Sequence, residues 1–154
     1  MIAVDTSILI YAHRSDLPFH VAARGVLESL STGRSRWAVP WPCIHEFLAV
    51  VTHARVFRTP SPPGLALSVI EALQQSGRCE FLAEGDVHLR TLAELAVTAN
   101  VTGGQIHDAR IAAICSAHGV RELWSADRDF SRYPALRVVN PLISAALRYP
   151  PPSS

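Results

Sequence analysis

Alternation is the strongest constraint on this chain. Five short β-type runs are separated by stretches in which apolar residues recur at helical spacing. The runs are Ile2-Ala3-Val4, Trp37-Ala38-Val39, Cys79-Glu80-Phe81-Leu82, Glu122-Leu123-Trp124 and Leu136-Arg137-Val138-Val139. Asp5 and Pro40 end the first two, Gly77 and Gly119 precede the next two, and Asn140-Pro141 closes the last. Between them, Ala23, Val26, Leu27 and Leu30 form one helical stripe, and Ile44, Phe47, Leu48 and Val51 a second. Ala66, Val69, Ile70 and Leu73 form a third, Leu89, Leu92, Ala93 and Ala96 a fourth, and Ile111, Ile114, Cys115 and His118 a fifth. Pro42 and Pro63 suit first-turn positions, and Asp86 suits an N-cap. The pattern predicts an α/β sandwich with a mainly parallel central sheet.

At 154 residues and 49% hydrophobic content, the chain suits one domain with a real core. That domain is expected over residues 1–149, with a frayed tail at 150–154. The proline-rich Thr59 to Gly64 reads as a loop between helices. Charged residues make up 18%, which argues against a disordered or nucleic-acid-coating tail. All 14 basic residues are Arg and none is Lys, a set that genomic base composition alone could produce and that would still bind phosphate well. The 3 cysteines are widely spaced and form no C-x-x-C pair, so neither a disulfide framework nor a zinc site is expected. No basic segment precedes the apolar start, and no uninterrupted apolar run reaches about 18 residues. A cytoplasmic protein without a membrane span is the expectation.

Functional groups in open α/β sheets collect beyond the carboxyl ends of the strands. Asp5 follows the first run, and Asp127 follows Leu123-Trp124. Asp108 opens the helix that begins near Ile106, and Glu46 lies within two turns of Pro42. Each can reach the same rim. Carboxylates brought together repel, and either raised pKa values or a bound hard cation must relieve them. An all-oxygen set without a His or Cys cluster suits Mg²⁺ or Mn²⁺ rather than zinc, and such an ion serves phosphodiester hydrolysis. Each acid also has a plainer reading. Asp5 can cap a turn before Thr6-Ser7, Glu46 can face solvent, and Asp108 can complement a helix dipole. Asp127 and Asp129 sit in a stretch with turn chemistry.

Other signals carry less. His45-Glu46 begins like H-E-x-x-H, but Ala49 breaks the zinc-protease pattern. His107 reads either as a helix-start residue or as a substrate contact. Trp37, Trp41 and Trp124 lie in or beside strands and suit packing over base stacking. Gly103-Gly104 is a turn, because no phosphate-loop pattern surrounds it.

Four segments in order, I-A-V-D-T-S-I-L-I, P-C-I-H-E-F, H-D-A-R-I-A-A and W-S-A-D-R-D-F, resemble those of a PIN-domain nuclease. More narrowly, they resemble the toxin of a VapBC-type toxin–antitoxin pair, from Ile2 to about Leu142. The resemblance implies a three-layer α/β/α fold in which Asp5, Glu46, Asp108 and Asp127 hold Mg²⁺ or Mn²⁺. Thr6 and Ser125 match small hydroxyl positions that support the acids, with Ser125 standing where Thr is commoner. Asp129 matches an additional acid, expected as structural or accessory. The implied activity is endoribonuclease cleavage of a structured RNA such as a tRNA or an rRNA loop. The resemblance further implies a homodimer and a cognate VapB-type antitoxin whose tail delivers an Arg to the acids. Arg110, Arg128 and Arg132 are candidate contacts to the RNA backbone.

Three other readings compete with this one. A phospho-acceptor signalling domain also gathers acids at a sheet edge, but needs a Lys that this chain lacks. A catalytically silent PIN-like binding module has no physical reason to keep a costly charge cluster. Another metal-dependent phosphodiesterase, a phosphatase or a DNase, is not separated from a ribonuclease by the acids alone.

Overall fold

A computed structural model describes residues 1–143. The expected tail at 150–154 lies outside the described residues, as does the end of the expected domain.

All five expected strands form: β1 (Ile2–Val4), β2 (Trp37–Pro40), β3 (Cys79–Leu82), β4 (Glu122–Trp124) and β5 (Arg137–Val139). They make one 5-stranded sheet in the order β3-β2-β1-β4-β5. Every pairing is parallel, with Ile2 in register with both Trp37 and Glu122. All four residues of β2 are buried, as a strand covered by helices on both faces must be. The core includes Trp37, Phe47, Phe130, Tyr133, Ile8 and Ile114, each almost fully removed from water. Burying a side chain of this size contributes about 1.5–3 kcal/mol.

Helices fill the crossovers: α1 (Thr6–His13) and α2 (His20–Thr32), then α3 (Trp41–Val51) and α4 (Pro63–Gln75), then α5 (His88–Thr98) and α6 (Gln105–Ala117). Pro42 and Pro63 do occupy first-turn positions, where a missing N–H costs nothing.

Two local features differ from the sequence reading. The segment after Asp5, for which no helix was expected, is α1. Its Ile8 and Leu9 are buried while Ile10, Tyr11 and Ala12 also pack on the core, so apolar residues surround the helix and leave no stripe to detect. Asp86 is not an N-cap. The helix starts later, at His88 behind Val87, whose side chain offers no capping bond, and Asp86 stands exposed in the turn before it.

The order of strands reverses at β1 and β4, the central pair from which later strands spread to opposite edges. That is where a doubly wound sheet opens a crevice at its carboxyl end. Asp5 leaves β1 there, and Ser125 leaves β4 alongside it, the Asp5 N–H donating to the Trp124 carbonyl at 3.0 Å.

Candidate active site

Asp5 is the fixed point of the site. It is 4% exposed and is the N-cap of α1, its carboxylate accepting the Ser7 N–H at 3.3 Å. The same oxygen, Oδ2, accepts the hydroxyls of Ser7 at 2.9 Å and Ser125 at 2.7 Å. Each hydroxyl in turn accepts a backbone N–H from the β4 loop. Ser7 takes that of Ala126 at 3.0 Å, and Ser125 takes that of Asp127 at 2.9 Å. A hydroxyl has one proton to give, so both are committed to Asp5 and the loop carrying Asp127 is tied to β1 through them. The other oxygen, Oδ1, is 3.7 Å from the Cys43 thiol. Burial pushes that thiol well above its usual pKa, so it stays protonated and donates.

Glu46 comes from the second turn of α3 and is exposed. Thr6 holds it, its hydroxyl donating to Oε2 at 2.9 Å while lying 3.3 Å from the Cys43 carbonyl. Asp108 lies in the first turn of α6, facing the positive end of that helix's dipole. Asp127 caps the 3₁₀ turn Arg128–Arg132 by accepting the Asp129 N–H at 2.9 Å. The plain readings of these acids as caps and first-turn residues are therefore true as well. Helix starts are where carboxylates are best tolerated, and crossovers deliver helix starts to one rim.

The acids do meet. Oxygen atoms of Asp108, Asp127 and Asp129 all lie within 4.8 Å of one another. Burial, first, and then the charges of Asp127, Asp129, Asp5 and Glu46 push the Asp108 pKa up to about 6. Asp108 thus feels each of the other three expected acids, although Asp5 and Glu46 are not part of the tight group. The 3₁₀ turn brings the Asp129 carboxylate, expected as a structural or accessory acid, into the tight group. Sequence reasoning also missed Ser7 and Cys43. Ser7 was visible only as part of a turn signal, while no local pattern marked the Cys43 contact. The expected supporting hydroxyls, Thr6 and Ser125, sit where their one proton reaches an acid.

The arginines are less concentrated. Arg110 is ion-paired to Glu84. Arg132 folds back to donate to the Asp129 carbonyl at 3.2 Å, and Arg128 is exposed. The donor set at the centre is therefore all oxygen and negatively charged, as hard divalent cations require.

A PIN-domain family model matches residues 2–136. The chain belongs to the PIN-domain family and, within it, to the VapC ribonucleases. It is 36% identical over 142 residues to ribonuclease VapC43 of Mycobacterium tuberculosis, covering 92% of this chain and 96% of the relative. Ribonuclease VapC31 of the same organism is 33% identical over 141 residues, covering 92% and 99%. Among solved structures, VapBC2 of Rickettsia felis bound to a promoter DNA fragment superposes with a TM-score of 0.65 at 19% identity, covering 90% of this chain and 98% of that one. The M. tuberculosis toxin VapC20, described as cleaving the sarcin–ricin loop, gives 0.63 at 17%, covering 85% and 93%. These structural likenesses bear on the fold, which is that of the family.

Proposed function

We propose that this protein is a Mg²⁺-dependent endoribonuclease toxin that cleaves a structured RNA, such as a tRNA or an rRNA loop. The observation that carries the reading is the carboxylate cluster at the sheet's switch point, with Asp108 pushed up to about 6 by its neighbours. Negative charge gathered in this way is costly unless something positive is meant to join it. Asp5, Glu46, Asp108 and Asp127 would hold Mg²⁺ or Mn²⁺, with Asp129 beside them. When bound, such an ion supplies charge neutralisation for a phosphodiester and a reactive water at neutral pH.

The chain's own residues do the positioning. Ser7 and Ser125 hold Asp5 in one orientation and tie the Asp127 loop to it, and Thr6 orients Glu46. Small errors in such supports are costly to reaction rate. Arg128 and Arg132 stand beside the acids and would meet the RNA backbone, and Arg110 would join them only by leaving Glu84.

A cognate VapB-type antitoxin and a homodimer complete the reading. The first is supported by likeness to toxins solved as VapBC complexes. The second is supported by α5, in which no residue is fully buried and Leu89 and Val97 are 77% and 82% exposed. A cytoplasmic location fits three buried thiols that form no disulfide. Among the described residues no helix is long and apolar enough to cross a membrane.

The test is to express the chain without an antitoxin and map the new 5′ ends in cellular RNA. One RNA cut at one place, and no cut with Asp5→Asn, is the expected result. Undiminished RNA cleavage by purified Asp5→Asn protein sinks the assignment, and cleavage of DNA alone would favour a DNase.

A further inference from the structure

Two histidines that the chemistry above does not use each precede an acid in sequence: His45 before Glu46, and His107 before Asp108. They come from different helices, α3 and α6, yet line one pocket of about 370 Å³ together with Glu46 and Asp108. The pocket therefore opens directly beside the carboxylate cluster. Its remaining walls are apolar (Pro42 and Ile111) apart from Arg110, whose charge is already met by Glu84. The volume is at the small end of the range for ligand pockets.

His45 is also braced. The Trp41 ring lies against it, with centroids 5.7 Å apart and planes tilted by 35°. Trp41 is in turn held edge-on by Phe81 at 5.3 Å, and remains 36% exposed. An exposed imidazole with an indole against it offers a flat ring surface on which another ring can stack.

The chemistry of the walls selects the occupant. A phosphate would stand against Glu46 and Asp108 with no free cation to balance it, since Arg110 is paired. A neutral, flat group with donors and acceptors on its edge is suited instead. Its exocyclic amine can donate to a carboxylate, imidazole nitrogens can pair with its edge, and its faces can rest on rings and apolar side chains. We propose that this pocket holds one unstacked nucleobase of the RNA, the one flanking the phosphodiester at the acids, and that His45 and His107 are the residues that read it. The proposal rests on the nuclease reading above and adds a specificity site to it.

Two measurements test it separately from that reading. In the first, the ring resonances of His45 and His107, assigned with His45→Ala and His107→Ala protein, are followed by NMR without metal. AMP, GMP, CMP, UMP and ribose 5-phosphate are added in turn. At least one nucleotide should shift both rings while ribose 5-phosphate leaves them in place. Equal shifts from ribose 5-phosphate would show a phosphate site and overturn the proposal, as would no shift from any nucleotide. This readout needs no cleavage, so it survives if the nuclease reading fails.

The second uses the mapped RNA target and the same target with an abasic nucleotide on either side of the cut. Loss of one stacked base should raise KM for the wild type about tenfold. The His45→Ala, His107→Ala double variant should show the same rise on intact RNA, with kcat largely kept and no further loss on the abasic RNA. Full additivity of the two losses, or a fall in kcat with KM unchanged, overturns the base pocket while leaving the nuclease standing.

Discussion

The two ends of one sheet carry opposite charge and treat it in opposite ways. At the carboxyl end, Asp108, Asp127 and Asp129 crowd together, and Asp5 and Glu46 add their charge to the same site. Asp5 is buried and Asp108 partly so, and hydroxyls and backbone N–H groups hold three of them. At the amino end, Arg36, Arg78 and Arg121 stand immediately before β2, β3 and β4, and Arg137 begins β5. These four are exposed and spread one to a strand. Arg36 meets Glu80 at 3.6 Å and Arg137 meets Glu122 at 3.1 Å, both in the open. A parallel sheet accounts for the difference. Its crossovers return every strand to the same end, so helix starts and loop acids converge beyond the carboxyl ends, while the residues that enter the strands line the opposite end, one to a strand.

The widest gap between the two ends should appear in activity. Asp5→Asn or Asp108→Asn should lower metal-dependent RNA cleavage by about 10³-fold or more, because charge stabilisation worth several kcal/mol is lost. Arg36→Ala should leave the rate within about twofold, as surface substitutions remote from a site generally do. Rates of purified variants on one labelled RNA decide it. An Arg36→Ala loss matching that of Asp5→Asn would erase the functional asymmetry.

The hydroxyl supports come next. Ser125→Ala should reduce metal affinity and cleavage by about 10–100-fold, and Ser125→Thr should recover most of the loss by restoring the donor to Asp5. Metal titration followed by intrinsic fluorescence, run beside the cleavage assay, measures both. If Ser125→Ala bound metal as the wild type does, the bond to Asp5 would be ornamental.

The sequence exposed the acids and the strands unequally well, for physical reasons. All five strands were legible because short β-branched or aromatic runs ended at Asp, Pro or Asn, or followed a Gly. The placement of Asp5 and Asp127 at strand ends followed from that. Helix α1 was not legible, because a helix with apolar residues all round has no periodic stripe. Ser7 and Cys43 were missed because their partners depend on how α1, α3 and the β4 loop meet, contacts 38 residues apart for Cys43 and 119 for the Ser7–Ala126 bond. The sequence marked Asp129 as an additional acid, structural or accessory, because spacing alone does not say where its carboxylate lies relative to Asp108 and Asp127. The 3₁₀ geometry after Asp127 swings the Asp129 carboxylate to within 4.8 Å of its neighbours.

A smaller effect should appear in stability. Asp108 holds its proton up to about pH 6 in the folded chain against an ordinary 3.8. Its unfolded form therefore ionises first, and the stability that this carboxyl contributes is fully present below about pH 4. It declines as pH rises, and is gone above about 6. Measured against Asp108→Asn, the metal-free wild type should lose melting temperature across that interval. Asp108→Asn should flatten the decline and melt higher than the wild type at pH 7, although it is inactive. Added Mg²⁺ should raise the wild-type melting temperature at pH 7, since it binds only the folded chain. Thermal melts at fixed ionic strength test all three. A metal-free wild-type curve that runs parallel to that of Asp108→Asn from pH 4 to 6 would mean that its neighbours do not strain the Asp108 carboxyl.

The smallest effect belongs to the amino end. Arg137 is 74% exposed where it meets Glu122, so water screens the pair and two side chains must be ordered to form it. Pairs of this kind contribute about 0–1 kcal/mol. Arg137→Ala should therefore move the denaturant midpoint only slightly, more at low salt than at high, and leave cleavage unchanged. The same reasoning forecasts near-additivity with Arg36→Ala, because the two arginines share no partner. A strong salt-dependent fall in RNA affinity on Arg137→Ala would instead mean that phosphates reach the amino end of the sheet. The two ends would then act on one ligand, with the acids cutting it and the arginines gripping it.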